Sequence, residues 1–260
     1  MTPLDQAHAE MEMHPEQDAM RLRFYERLAD SELFLLLEAE ATDDTVKPMI
    51  FPVETQKYAL VFDTEDRLAE FAQTPAPFVS LSGRMIAAML AGKSIGLGVN
   101  LSVAVSSILL PDTAVTWLAK TLAIDPEETQ AKPVSIHPPR AVPEVLIKAL
   151  DMKLAAMAGV AKAAYLAEVA YENTPKMHVL VFLDALEQAQ TAITSAVSEA
   201  LTFSGIEAGT LDVLFLRGSD PICVQLAKVA LRFDLPVLLE PKAQVIEAPG
   251  TNPDKPPKLR

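Results

Sequence analysis

The residues best placed to do chemistry fall in one short turn. In Leu81-Ser82-Gly83-Arg84 a strand-like run gives way to a helical pattern. Such a turn offers the free backbone N–H groups of the helix start, the Ser82 hydroxyl and the Arg84 guanidinium together, a set suited to an anionic or carbonyl group. Asn100 closes the nearby stretch Gly96-x-Gly98-Val99-Asn100. It adds an amide if that segment runs beside the turn, and the two glycines let a ligand or another backbone approach closely. The same residues also have a purely structural reading, in which Ser82 is an N-cap worth ~1 kcal/mol and Arg84 pairs with neighbouring acids.

Other local signals point away from known chemistries. Gly92-Lys93-Ser94 has the ending of a phosphate-binding loop, but Ala87 stands where its first glycine belongs and the triplet follows a helix, not a strand. The Gly96-x-Gly98 pair lacks the third glycine and the helix onset of a dinucleotide site. The chain contains no G-x-S-x-G, H-E-x-x-H or C-x-x-C motif. The four histidines, His8, His14, His137 and His178, have no spacing that converges on a metal. Cys223 opens the last helix but shares a side with Leu226, Ala227 and Ala230, so it reads as a small buried hydrophobe more than a nucleophile. No catalytic residue, metal site or cofactor is assigned.

Trp117 is assigned as an interface residue. At 100° per residue it points about 160° away from the face of Val115, Leu118, Ala119 and Leu122. An indole there is covered by something outside its own domain (the second domain, the linker or another chain) or stands exposed.

The elements that must carry these residues form two α/β (α+β) domains, each a mixed sheet with packed helices, expected at residues 17–123 and 134–245. Residues 1–16 are polar without sustained period and are expected as a loose arm. Met20, Phe24 and Leu28 then mark a helix, Leu33–Leu37 a strand covered on both faces, and Met49–Val53 with Tyr58–Phe62 a hairpin. Thr64 caps one helix and Ser82 another. Pro111 opens the helix of Trp117, and residues 125–133 have linker composition. In the second half the order βαββαβαβ suggests a split-βαβ-like sheet with helices on one face. There Ala161–Tyr171 reads as a strand, the last helix runs to Phe233, and Leu235–Leu239 forms an edge strand. The tail from residue 248 reads as loose. Both domains are expected to fold separately.

Composition bounds the partners. Of 260 residues 50% are hydrophobic and 22% charged, a folding composition. The net charge of −13 splits into −9 up to Ile124 and −4 beyond it. That field repels phosphate backbones and anionic bilayers, so neither nucleic acid nor a membrane is an expected partner. A single cysteine excludes an intramolecular disulfide framework, and the N-terminal residues show no secretory pattern. The cytoplasm is the expected compartment.

The run Val79-Ser80-Leu81-Ser82-Gly83-Arg84 through Gly96-Leu97-Gly98-Val99-Asn100, preceded by Tyr58-Ala59-Leu60-Val61-Phe62-Asp63-Thr64, resembles the N-terminal domain of the SseB family, a bacterial family named for enhanced serine sensitivity. Residues 134–233 are similar to its C-terminal domain, best at Leu211-Asp212-Val213-Leu214-Phe215-Leu216 and Ser219-Asp220. The resemblance implies the two-domain organisation and no reaction or cofactor. The leading expectation is a non-catalytic binding or adaptor protein, acting through protein contacts or as a small-molecule sensor. The alternative is an enzyme with dispersed active-site residues acting on a small anionic metabolite, which a cleft gathering Arg84, Asn100 and a carboxylate would favour.

Overall fold

The computed structural model describes residues 1–40, 46–123, 135–170, 177–205 and 211–237. The expected linker at 125–133 and the tail from 248 lie outside them.

The first unit opens on α1 (Pro3–Met13) and α2 (Asp18–Asp30). The expectation of a loose arm over residues 1–16 is corrected by α1. Thr2 and Asp5 cap each other's backbone reciprocally, Pro3 occupies the first turn, and Leu4 and Ala7 are buried. That apolar stripe is too narrow to stand out as a period. His8, placed in the same arm, is buried with its ring edge-on to Phe24 at 5.6 Å.

Next come β1 (Glu32–Leu36), β2 (Ile50–Val53), β3 (Gln56–Phe62), α3 (Glu65–Ala72), β4 (Phe78–Ser82), α4 (Gly83–Leu90), β5 (Ile95–Val99), β6 (Ile108–Leu110) and α5 (Asp112–Leu122). The strands lie in the order β4-β1-β3-β5-β6, with β2 also on β3. Only β3 and β5 run parallel. Alternation divides the faces: Leu33, Leu35, Ala59 and Val61 meet α1, α2, α4 and α5, while Leu36, Leu60 and Phe62 meet Leu68 of α3.

The second unit comprises β7 (Ser135–His137), α6 (Glu144–Ala155), β8 (Ala163–Ala170), β9 (Met177–Leu183), α7 (Gln190–Phe203), β10 (Leu211–Leu216), α8 (Ile222–Val229) and β11 (Leu231–Asp234). Its sheet order is β10-β9-β8-β11, with β7 also on β8, and β9 and β10 parallel. The alternation over Ala163–Ala170 does form a strand. Two expectations are corrected. The helices cover both faces, α6 and α7 on one and Leu226 of α8 on the other. Among the described residues the last helix ends at Val229 and the last strand is Leu231–Asp234; Leu235, Pro236 and Val237 of the expected edge strand are not strand, and its remaining positions 238–239 lie outside the described residues. Leu226, Ala230 and Phe233 fit a helical period equally well, but Ala230 turns extended and residues 231–234 take up the free edge of β8.

The two units meet where α2 packs on α7. Phe203, the last residue of α7, is 2% exposed and belongs to the first unit's core cluster.

Candidate functional site

Four helices bring charge to the seam between the units. On α2, Phe24 and Leu28 face the first core, while Glu26, Arg27 and Asp30 line the seam. On α7, Ile193, Val197 and Ala200 serve the second core, leaving Ser195 and Glu199, one turn apart, beside it. Lys153 comes from α6 and Arg84 from the first turn of α4. Gly83 makes that placement possible. Its N–H donates to Ser31 O at 3.0 Å, and a Cβ there would overlap the Leu28 carbonyl oxygen, so α4 starts hard against the end of α2.

Arg84 donates to both Glu199 oxygens at 3.0 and 3.2 Å and to Asp30 Oδ1 at 2.6 Å. Lys153 Nζ donates to Asp30 Oδ2 at 2.6 Å and to Glu199 Oε2 at 3.0 Å, and stands 3.6 Å from Glu26 Oε1. Arg27 turns its guanidinium to Met152 Sδ at 3.1 Å. These groups line a cleft of about 650 Å³ whose remaining walls are methionine, leucine, alanine and Ser195.

Burial sets the electrostatics of this network. The hydrogen bond to Glu199 outweighs desolvation and pushes Arg84 above the usual arginine value, so it stays charged. Burial alone would lower Lys153, but Asp30, Glu199 and Glu26 carry it above the ordinary lysine value. Glu26 moves the other way. Burial raises its carboxyl above the ordinary 4.5, Asp30 adds to the rise, and Lys153 and Arg27 offset it only in part.

Of the residues singled out from sequence, Ser82 and Arg84 share one turn as expected, with the Ser82 hydroxyl accepting from Met85 N–H at 3.4 Å. Asn100 does not join them, because it follows β5, three strands away from β4. It is fully buried in a second network: its Oδ1 accepts from Asp63 N–H at 3.0 Å and its amide donates to Ser106 Oγ at 2.9 Å. Ser106 donates onward to Asp5, which is clamped by Arg67 at 2.6 and 3.1 Å. Burial raises the Asp5 carboxyl, but donors from Arg67, Ser106 and Thr2 more than reverse this and hold it well below the carboxylate range. This network ties α1 to the C-terminal ends of β3 and β5.

Trp117 is 39% exposed, with its ring 5.3 Å from Tyr25 and 6.4 Å from Phe203 of the second unit. Its emission is expected to shift to longer wavelength in Phe203→Leu, which removes the ring that α7 lays against it. An unchanged spectrum would show that Phe203 does not shield the indole. Cys223 is half-buried and donates to Arg217 O at 3.3 Å; burial, Asp220 and Asp184 raise its thiol. Among the described residues no cluster of three His, Cys, Asp or Glu is arranged to hold a metal, and no helix is long and apolar enough to cross a membrane.

Sequence reasoning reached Arg84 but missed its partners. A signal existed at Glu199, a lone acid between the apolar positions Val197 and Ala200, and at Lys153, which precedes Leu154 on a largely apolar helix. No curated protein and no solved structure matches the chain. The model of the SseB protein N-terminal domain matches residues 4–135, taking in α1, and that of the SseB protein C-terminal domain matches residues 129–229. With these two matches spanning both sheets, the chain belongs to the SseB family.

Proposed function

We propose that the protein is a non-catalytic small-molecule binding protein whose ligand sits in the cleft between the two units, so that occupancy is coupled to how the units are held together. The observation that carries this reading is the cleft itself. Its volume, about 650 Å³, falls within the range of roughly 300–1,000 Å³ usual for ligand sites, and both units supply its charged side chains. A ligand there touches α2 and α4 on one side and α6 and α7 on the other. Occupancy therefore changes the free energy of the seam, which is what a sensor requires. The charged groups pair with one another and do not form a nucleophile with an adjacent base. The alternative, an enzyme for a small anionic metabolite, draws support from Arg84 sharing the cleft with carboxylates, although the Asn100 it called for lies elsewhere.

The test is a thermal-shift screen of the purified protein against a metabolite library, repeated on Ala192→Trp. Ala192 is exposed at the cleft wall, so the indole fills the space without touching the charges. Ligands that stabilise the wild-type protein are expected to lose their effect in the variant. Shifts that persist in Ala192→Trp would move the binding site away from the cleft.

A further inference from the structure

Glu26 is 6% exposed and lines the cleft, and its Oε1 has no hydrogen-bond partner among the described residues. No other buried side-chain nitrogen or oxygen among those residues is left so. Of the two cations nearest it, Lys153 gives hydrogen bonds to Asp30 and Glu199 and stands 3.6 Å from Glu26 Oε1, within ion-pair distance but beyond a hydrogen bond, while Arg27 turns to Met152 Sδ. A buried carboxylate oxygen without a donor is costly, and a protein retains one where something else supplies the proton.

We propose that the cleft takes a small organic cation, an amine or amidine on an apolar body, whose N–H donates to Glu26. This rests on the cleft being the ligand seat. The head group meets the Glu26 carboxylate, whose buried Oε1 has no hydrogen bond among the described residues, and the body lies along Leu122, Met152, Ala156 and Met157. The charges of the cleft around Glu26 come from four helices, Arg27 and Asp30 of α2, Arg84 of α4, Lys153 of α6 and Glu199 of α7, while Arg23 of α2 and Lys148 of α6 line a second, smaller pocket that Glu26 also borders. With Glu26 ionised, three carboxylates face three cations, so an added cation leaves an excess of one. With Glu26 protonated the same excess of one already exists. Ligand cation and proton therefore exchange at constant charge, and the raised carboxyl supplies the proton that leaves.

The test is isothermal calorimetry with n-pentylamine, with n-pentanol as its neutral analogue and n-pentanoate as its anion, each in two buffers of different ionisation enthalpy. The amine is expected to bind with release of up to one proton, and to bind more tightly as pH rises until Glu26 is ionised without ligand. Glu26→Gln should weaken it by about ten- to a hundredfold and abolish the proton release. Loss of fold does not explain such a result. Since the folded state holds the Glu26 proton more tightly than the unfolded one, ionising it costs stability as pH rises above 4.5. The neutral variant is accordingly expected to be the more stable protein at neutral pH, with the gap closing on acidification toward 4.5. Amine binding unchanged in Glu26→Gln, or pentanoate binding where the amine does not, overturns the inference and leaves the cleft reading standing. Failure of all three probes, or binding indifferent to Ala192→Trp, removes the cleft reading as well.

Discussion

Lys153→Met is expected to lower the unfolding free energy of the intact protein by about 3–5 kcal/mol. The Lys153 side chain is 10% exposed and is the one group facing all three carboxylates of the seam. Without it Arg27 is left to offset the Glu26 charge, and Glu199 and Asp30 share Arg84. The cost comes less from the attraction lost than from carboxylates left buried with too little positive charge. The methionine stem preserves most of the packing, which separates this effect from a cavity. Adding Glu26→Gln is expected to recover part of the loss, because it removes one of the stranded charges. Urea denaturation of the single and double variants measures both. A loss below about 1 kcal/mol would mean that the seam is solvated and the ion pairs contribute as surface pairs do.

The second large effect is expected at Arg67→Ala, again about 3–5 kcal/mol. Asp5 and Asp63 have side chains 1% and 5% exposed, and the Arg67 guanidinium bridges them at 2.6 Å on either side. Removing it strands two carboxylates and frees α1 from the ends of β3 and β5. The pH dependence has the opposite sense to that of Glu26. A carboxyl held below its ordinary value contributes stability that is fully present above that value, here 3.8, and is lost as pH falls through the lowered one. The gap between wild type and Arg67→Ala is therefore expected to be widest at neutral pH and to narrow on acidification, first as the Asp5 carboxyl of the variant, raised by burial without its main donor, takes up a proton, and further below about 3.8 as the wild type loses the clamp. Hydrogen exchange of α1 amides, fast in the variant and protected in the wild type, locates the damage. Unchanged protection of α1 would show that its buried Leu4 and Ala7 hold it without the clamp.

These networks mark the boundary of what the sequence makes legible. Strands were readable wherever burial alternates or is continuous, as in Leu33–Leu37 and Ala163–Ala170, because a period of two survives without knowledge of neighbours. Caps at Thr64 and Ser82 were readable for the same local reason. The helix at residues 3–13 was not, since its few apolar residues serve a stripe that only α2 and the sheet define. The end of α8 was missed because a free strand edge on β8, far away in sequence, decided it. Arg84 was visible as an unusual charge at a helix start, whereas its partners Asp30 and Glu199, and Lys153 which shares them, come from three other helices and have no spacing relative to it. Asn100 looked like part of the same site through closeness in sequence, and strand order removed it.

The placement of Phe203 has a consequence for how the protein is made. The helices of the first unit are complete when Leu122 has been synthesised, yet the ring that fills the gap among them arrives about 80 residues later. At ~5–20 residues per second the ribosome needs roughly 4–16 s to deliver it. For that interval the nascent chain presents an uncovered apolar hollow beside Tyr25 and Trp117. Chaperone capture on the ribosome is accordingly expected to concentrate in this interval and to end as α7 emerges.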